Sequence, residues 1–289
     1  MTSLDLAISY FEKQRNEKVF SIRLIDGPHQ NDSYLINMSA LVQIASKDPL
    51  AIPMGSENPE WDFYRVRAEN DFSAPYPHFY AFNQARHRIE PFIFGDQPFE
   101  SPDKKEKEAL EIVSALSFFH QLPYVVKPYP LLERFRFFKA RCDSTLPASF
   151  ENRILTKVDH LRNPSQFCLC HHQLKSGHII MSENGPVFLD FEMAGMDCPL
   201  LDLASLVEEN DFDSPLARKC LAHFNSLHPN VTYSFEDLET LVTFWDAYWY
   251  YRHMAYHKIS EEPIEEERAK HKKERFLFAF EASLMGDGE

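Results

Sequence analysis

The stretch CHHQLKSGHIIMSENGPVFLDFEMAGMDCPLLDLA, Cys170 to Ala204, decides the fold reading of this chain. An apolar run, Val187–Leu189, ends in Asp190-Phe191-Glu192, and Pro199 and Asp202 follow. The run lies within GHIIMSENGPVFLDFE, Gly177–Glu192, which reads as a strand pair with Asn184-Gly185 as a type I′ turn signal. Earlier still, His171 and Leu174 bracket a His-x-x-Leu turn. An Asp delivered at the end of a strand is a common holder of Mg²⁺ in phosphoryl transfer, because that hard cation demands oxygen ligands. The same chemistry wants a carboxylate to accept a hydroxyl proton. The turn offers Gln173 instead, with His172 beside it as the nearest substitute base.

The composition frames this pattern. The chain has 289 residues, 44% hydrophobic and 14% aromatic, enough to build one large domain or two lobes with a real core. Eight Gly against 19 Pro leave little material for a glycine-rich phosphate cradle. A net charge of −14 repels a phosphate backbone and excludes nucleic acid as the default partner. No run of about 18 apolar residues suggests a membrane span. Residues 1–18 lack the basic and apolar regions of a secretion signal. Five scattered cysteines (Cys142, Cys168, Cys170, Cys198 and Cys220) then read as reduced thiols of a cytoplasmic protein.

Working outward, the first ninety residues read as strand-rich. Lys18–Asp26, Ser33–Ser39 and Ala40–Ser46 are short β-branched and aromatic runs, and Glu60–Asp71 has helical spacing. Two further strands are expected in PHFYAFNQ and HRIEPFIFGD, and Glu90–Asp96 reads as a connector. Beyond it nearly everything is helical, with GHIIMSENGPVFLDFE expected as the only strand pair.

These motifs resemble the choline/ethanolamine kinase and aminoglycoside phosphotransferase family, most closely its bacterial choline kinases. ALSFFHQLP is similar to the family's Leu-x-x-Leu-His-x-Leu-Pro helix end, and CHHQLKSGHII stands where the family has His-x-Asp-Leu-x-x-x-Asn-Ile. The resemblance implies an α+β, protein-kinase-like two-lobe fold. A β-rich N-terminal lobe would span 1–92 and a helical C-terminal lobe 93–289, with ATP and Mg²⁺ in the inter-lobe cleft.

Carried over by position, Asp190 matches the family's metal-binding Asp, and Glu192 and Asp202 match as well. Gln173 occupies the catalytic Asp position and His178 that of the second metal ligand. Gln43 stands where the phosphate-facing Lys belongs, Glu60 as that Lys's ion-pair partner, and Asn31 in the nucleotide loop. Glu90, at the connector, is expected on the nucleotide side. Trp245, Trp249 and Arg252 fall on the helix that bounds the substrate site in the family, Arg252 replacing a second Trp.

The substitutions have physical consequences. Gln173 cannot take a proton, and loss of a general base costs roughly 10²–10⁴ in rate. Gln43 removes a cation from the phosphates. His178 suits Mn²⁺ or Zn²⁺ better than Mg²⁺. The resulting expectation is a catalytically degenerate, pseudokinase-like protein that binds a small molecule or a partner in the cleft, with ATP and Mg²⁺ weak or lost. One alternative is an active ATP-dependent kinase of choline or an amino-alcohol with atypical catalytic residues. A second is a protein that binds an anion, without nucleotide, through Arg252, His172 and His178. Two local patterns carry bland readings. Cys168, Cys170, His171 and His172 could be metal ligands, but the spacing lacks a second pair and favours packed thiols. The Trp245–Tyr251 cluster could cage a quaternary ammonium, but at helical spacing it favours an aromatic core.

Overall fold

The computed structural model describes residues 2–25, 31–45, 50, 59, 62–63, 65–66, 81–82 and 87–286. The chain separates into two compact units, Met1–Pro102 with Ser176–Ala194, and Asp103–Lys175 with Gly195–Glu289. The hairpin that carries Asp190, expected with the helical lobe, therefore clusters with the first unit.

The first unit opens with helix α1 (Ser3–Arg15), in a stretch that the sequence reading treated as strand-rich. Its signal is a capping box. Thr2 Oγ1 accepts from the Asp5 N–H at 3.1 Å, and the Asp5 carboxylate accepts from the Thr2 N–H at 3.0 Å. Five antiparallel strands follow: β1 (Ile22–Ile25), β2 (Asn31–Ile36), β3 (Ala40–Ala45), β4 (Ala81–Phe82) and β5 (Arg88–Pro91), in sheet order β1-β2-β3-β5-β4. Side chains alternate between the sheet's faces. Tyr34, Ile36, Val42, Ile44 and Ile89 form one core with Ala7, Tyr10 and Phe11 of α1. The opposite face carries a polar row in register, Ser33–Gln43–Arg88, with Leu41 and Glu90 paired beside it.

The hairpin of β7 (Ile179–Ser182) and β8 (Gly185–Phe188) joins this unit through Asp96, whose backbone exchanges two hydrogen bonds with Met181. Gly95 permits that approach, since at φ +156° a Cβ would lie 2.4 Å from the Met181 carbonyl oxygen. The turn differs from the expected Asn184-Gly185 type I′. The register pairs Ser182 with Gly185, so the turn residues are Glu183 and Asn184, and Gly185 alone is left-handed at φ +105°. Ser182 Oγ fixes this geometry, accepting from the Asn184 N–H and donating to the Gly185 carbonyl. The helix expected over Glu60–Asp71 lies largely outside the described residues.

The second unit holds α2 (Lys105–His120), α3 (Leu131–Lys139), α4 (Ala148–Leu161), α5 (Leu200–Glu209), α6 (Ser214–Leu227), α7 (Phe235–Ser260) and α8 (Pro263–Gly286). It also contains a second strand pair that the sequence reading did not expect. β6 (Cys168–Cys170) runs antiparallel to β9 (Gly195–Asp197). Gly195 is required there because a Cβ would meet the Tyr129 backbone N at 2.8 Å. Helix α7, capped by Ser234 and Asp237, packs on α3, α4, α5 and α8, with Trp245, Tyr248, Trp249 and Tyr251 buried along it. No helix among the described residues is long and apolar enough to cross a membrane.

Candidate functional site

In the first unit the polar row of the sheet converges on the end of β8. Cross-strand register sets Arg88 directly opposite Gln43. Arg88 is 3% exposed, with Nη2 3.0 Å from Asp190 Oδ1 and Nε 3.2 Å from Glu90 Oε1. The other Asp190 oxygen faces His178, whose Nε2 lies 3.4 Å away. Gln43 Nε2 donates to Ser33 Oγ at 3.3 Å. Asp190 itself sits at φ +60°, a left-handed conformation that an L-residue adopts at some cost and that aims its carboxylate off the strand end. Glu192, two residues on, is half-buried.

Arg88 is a member of this cluster that sequence reasoning missed. It lies inside an expected strand, but nothing short of the register reveals that it stands beside Gln43 and reaches Asp190. The expected contribution of Glu60 lies outside the described residues. For Asn31 only the backbone, at the start of β2, is described.

In the second unit the His-x-x-Leu turn is built around buried carboxylates. Asp202, on α5, accepts from the backbone N–H of His171 at 2.8 Å and of His172 at 2.6 Å, and from His120 Nε2 at 3.0 Å. Burial alone would raise the Asp202 carboxyl, but the His120 hydrogen bond and charge outweigh it and hold the group below the usual carboxylate range. Ser205 Oγ accepts from the Leu174 N–H, and Asn210 Nδ2 donates to the Leu174 carbonyl. The turn is thus fixed from α5 by its backbone. Gln173 is 4% exposed, and its N–H donates to His171 Nδ1 at 3.3 Å.

His172 is fully buried, at φ +67°. Its ring packs by Tyr129 and Trp245, and its Nε2 lies 3.5 Å from Asp197 Oδ2. Asp197 is also gripped by Arg162 through two contacts, at 2.7 and 2.9 Å. Burial would raise Asp197, yet hydrogen bonds from His172 and Arg162 hold it below the ordinary range. On α7, Trp245 and Trp249 are 0% and 2% exposed, and Trp245 Nε1 donates to the Leu201 carbonyl. Arg252 stacks on Trp249 and Tyr256, at 5.1 and 4.9 Å from the ring centroids. Elsewhere in this unit, Phe150, Ile154, Val207, Asp246, Arg275 and Phe278 line a cavity of about 980 Å³.

A five-stranded antiparallel sheet followed by a helical unit with a His-x-x-Leu turn and a strand-terminal Asp defines a kinase-like phosphotransferase fold. The chain belongs to the phosphotransferase enzyme family (APH), whose model matches residues 22–229. Among solved structures it is similar to the choline kinase LicA from Streptococcus pneumoniae, with a TM-score of 0.72, 16% identity, and coverage of 95% of this chain and 98% of that one. A choline/ethanolamine kinase family protein from Mesorhizobium loti aligns with a TM-score of 0.69 at 14% identity, covering 96% and 94% of the two chains. The aminoglycoside phosphotransferase APH(2")-IIa, solved with streptomycin and ATP, aligns at 0.61 and 18% identity, covering 86% and 91%. At these identities the likeness concerns the fold. No curated protein sequence matches the chain.

Proposed function

We propose that this phosphotransferase-family protein does not transfer phosphate efficiently and instead binds a small molecule or a partner. The observation that carries this reading is the state of Asp190. Mg²⁺ requires near-octahedral oxygen ligands at about 2.0–2.1 Å. Here one Asp190 oxygen is bonded to the guanidinium of Arg88 and the other faces an imidazole. A fixed cation on the carboxylate competes with a metal ion for the same charge, and His178 is a poor Mg²⁺ donor. The donor set therefore does not suit Mg²⁺. Gln173, buried and neutral, adds no base. The free thiols are compatible with a reducing, cytoplasmic compartment.

A second reading, an active small-molecule kinase of choline or amino-alcohol type, draws support from the same arginine. Opposite Gln43, Arg88 supplies a cation on the strand next to the one where the family's Lys would stand. A coupled assay with choline or ethanolamine, ATP and either Mg²⁺ or Mn²⁺ separates the two. The degenerate reading expects no turnover above background with either metal. Turnover that is lost in Arg88→Gln would establish the second reading instead.

A further inference from the structure

The strongest unassigned cluster lies in the second unit, where β6 meets the end of α2. A ring nitrogen of His120 and the sulfurs of Cys168 and Cys170 all lie within 4.8 Å of one another. The two sulfurs are 3.8 Å apart. Cys168 and Cys170 share one face of β6, with Leu169 on the other. His120 is the last residue of α2 and is 6% exposed.

We propose that Cys168, Cys170 and His120 form a site for a soft, thiophilic metal ion such as Zn²⁺, which ties α2 to the strand entering the His171–Leu174 turn. Geometry favours a metal over a direct disulfide. Residues two apart on a strand are about 6.4–6.8 Å apart at Cα, at the long limit of what a disulfide spans. Two sulfurs bound tetrahedrally at about 2.3 Å to one Zn²⁺ lie about 3.8 Å apart, the separation already present.

The surroundings supply the outer support such a ligand set needs. His120 Nε2 is 3.0 Å from Asp202 Oδ2, so a carboxylate orients the imidazole in the way that carboxylate–histidine–metal arrangements do. His120 Nδ1 lies 3.3 Å from His228 Nε2, while His228 Nδ1 bonds the Phe224 carbonyl at 2.9 Å. His228 therefore turns a lone pair toward His120 and is the nearest further donor for a fourth position. Binding replaces three protons: Zn²⁺ enters, Cys168 and Cys170 become thiolates, His120 gives up the Nδ1 proton that faces His228, and three H⁺ leave to solvent. Cys170 gives up its weak S–H contact to the Asp197 carbonyl in the process. The expected role is structural, because the ligands are carried on the elements that frame the turn. The sequence alone hid this site, since its nitrogen ligand comes from the end of α2, with α3 and α4 in between, and not from the adjacent His171 or His172.

The test is titration of the reduced, chelator-treated full chain with Co²⁺, followed by Zn²⁺. One equivalent of Co²⁺ should produce a thiolate-to-cobalt charge-transfer band that Zn²⁺ abolishes, and Zn²⁺ should raise the melting temperature. Cys168→Ser and Cys170→Ser should each weaken binding by at least about tenfold, whereas Cys142→Ser, remote from the cluster, should leave it unchanged. If Cys170→Ser does not fold by circular dichroism, the half-exposed Cys168 carries the test. Absence of the band, or a band that persists in Cys168→Ser, overturns the proposal.

Discussion

The two halves of the family's motif set have fared differently in this chain. In the helical unit, the residues that hold the His-x-x-Leu turn are all in place: Asp202 takes two backbone N–H groups and His120, and Ser205 and Asn210 take Leu174. In the sheet unit, Arg88, Glu90, Asp190 and His178 form an internal network of charged and polar groups. The difference teaches which residues a fold can exchange. Asp202 satisfies buried backbone donors, so its loss leaves polar groups orphaned in the interior. On the reading proposed above, positions 43 and 173 answer to the reaction and not to the packing. Replacing them costs the fold little.

That contrast can be broken by mutation, beginning where the effect is largest. Asp202→Ala removes a fully buried carboxylate that pairs with His120 and caps two N–H groups, and should destabilise the chain by about 3–5 kcal/mol in urea unfolding. A loss well under 1 kcal/mol would mean that the turn is held by something else.

Arg88→Gln comes next. It leaves Asp190 and Glu90 without their guanidinium and should cost about 1.5–3 kcal/mol. The same variant should show a rise in melting temperature on adding Mg²⁺, and the native chain should not. If neither protein responds, competition by Arg88 is not what keeps the metal away.

A smaller effect is expected at Asp246 on α7, which is 3% exposed and lines the cavity of the helical unit. Burial, then the neighbouring Glu208 charge, push its carboxyl well above the usual range, against the pull of Arg275, whose Nε lies 2.9 Å away. With the folded pKa above the unfolded one, the folded state holds the extra proton. Stability from this group is therefore full below the unfolded carboxylate range and declines as pH rises toward the raised folded value. Asp246→Asn, which mimics the protonated form, should flatten the fall in melting temperature between pH 4 and pH 7. An unchanged slope would show that Asp246 does not titrate in that window. The smallest change is Thr2→Ala, which removes the cap of α1 at a cost of about 1 kcal/mol, read as faster amide exchange in the first turn of that helix.

The architecture was legible because it rests on local signals. The Asp190-Phe191-Glu192 run with Pro199 and Asp202, the helix end at His120 and the alternating strands of the sheet are visible one segment at a time. The capping box of α1 is equally local, but Ser3–Arg15 falls in the stretch expected to be strand-rich. The short β6–β9 pair was harder. Three-residue strands separated by the whole hairpin carry almost no periodic signal. The site was half legible. Gln173, His178 and Gln43 follow from motif position, but Arg88 acquires its role through cross-strand register and His120 through a contact with Asp202 across much of the chain. Neither is encoded in spacing. The aromatic run of α7 shows the converse case: its helical spacing already favours a core helix over a cation cage, and Trp245 and Trp249 are buried along it.

The measurement that bears most directly on the central claim is calorimetric titration of ATP, with and without Mg²⁺, into the native chain and into a variant carrying Gln43→Lys, Arg88→Gln, Gln173→Asp and His178→Asn, which also frees Asp190 of its guanidinium. The account predicts no Mg²⁺-dependent binding by the native chain and measurable binding by the variant. Tight, Mg²⁺-dependent ATP binding by the native chain would contradict it.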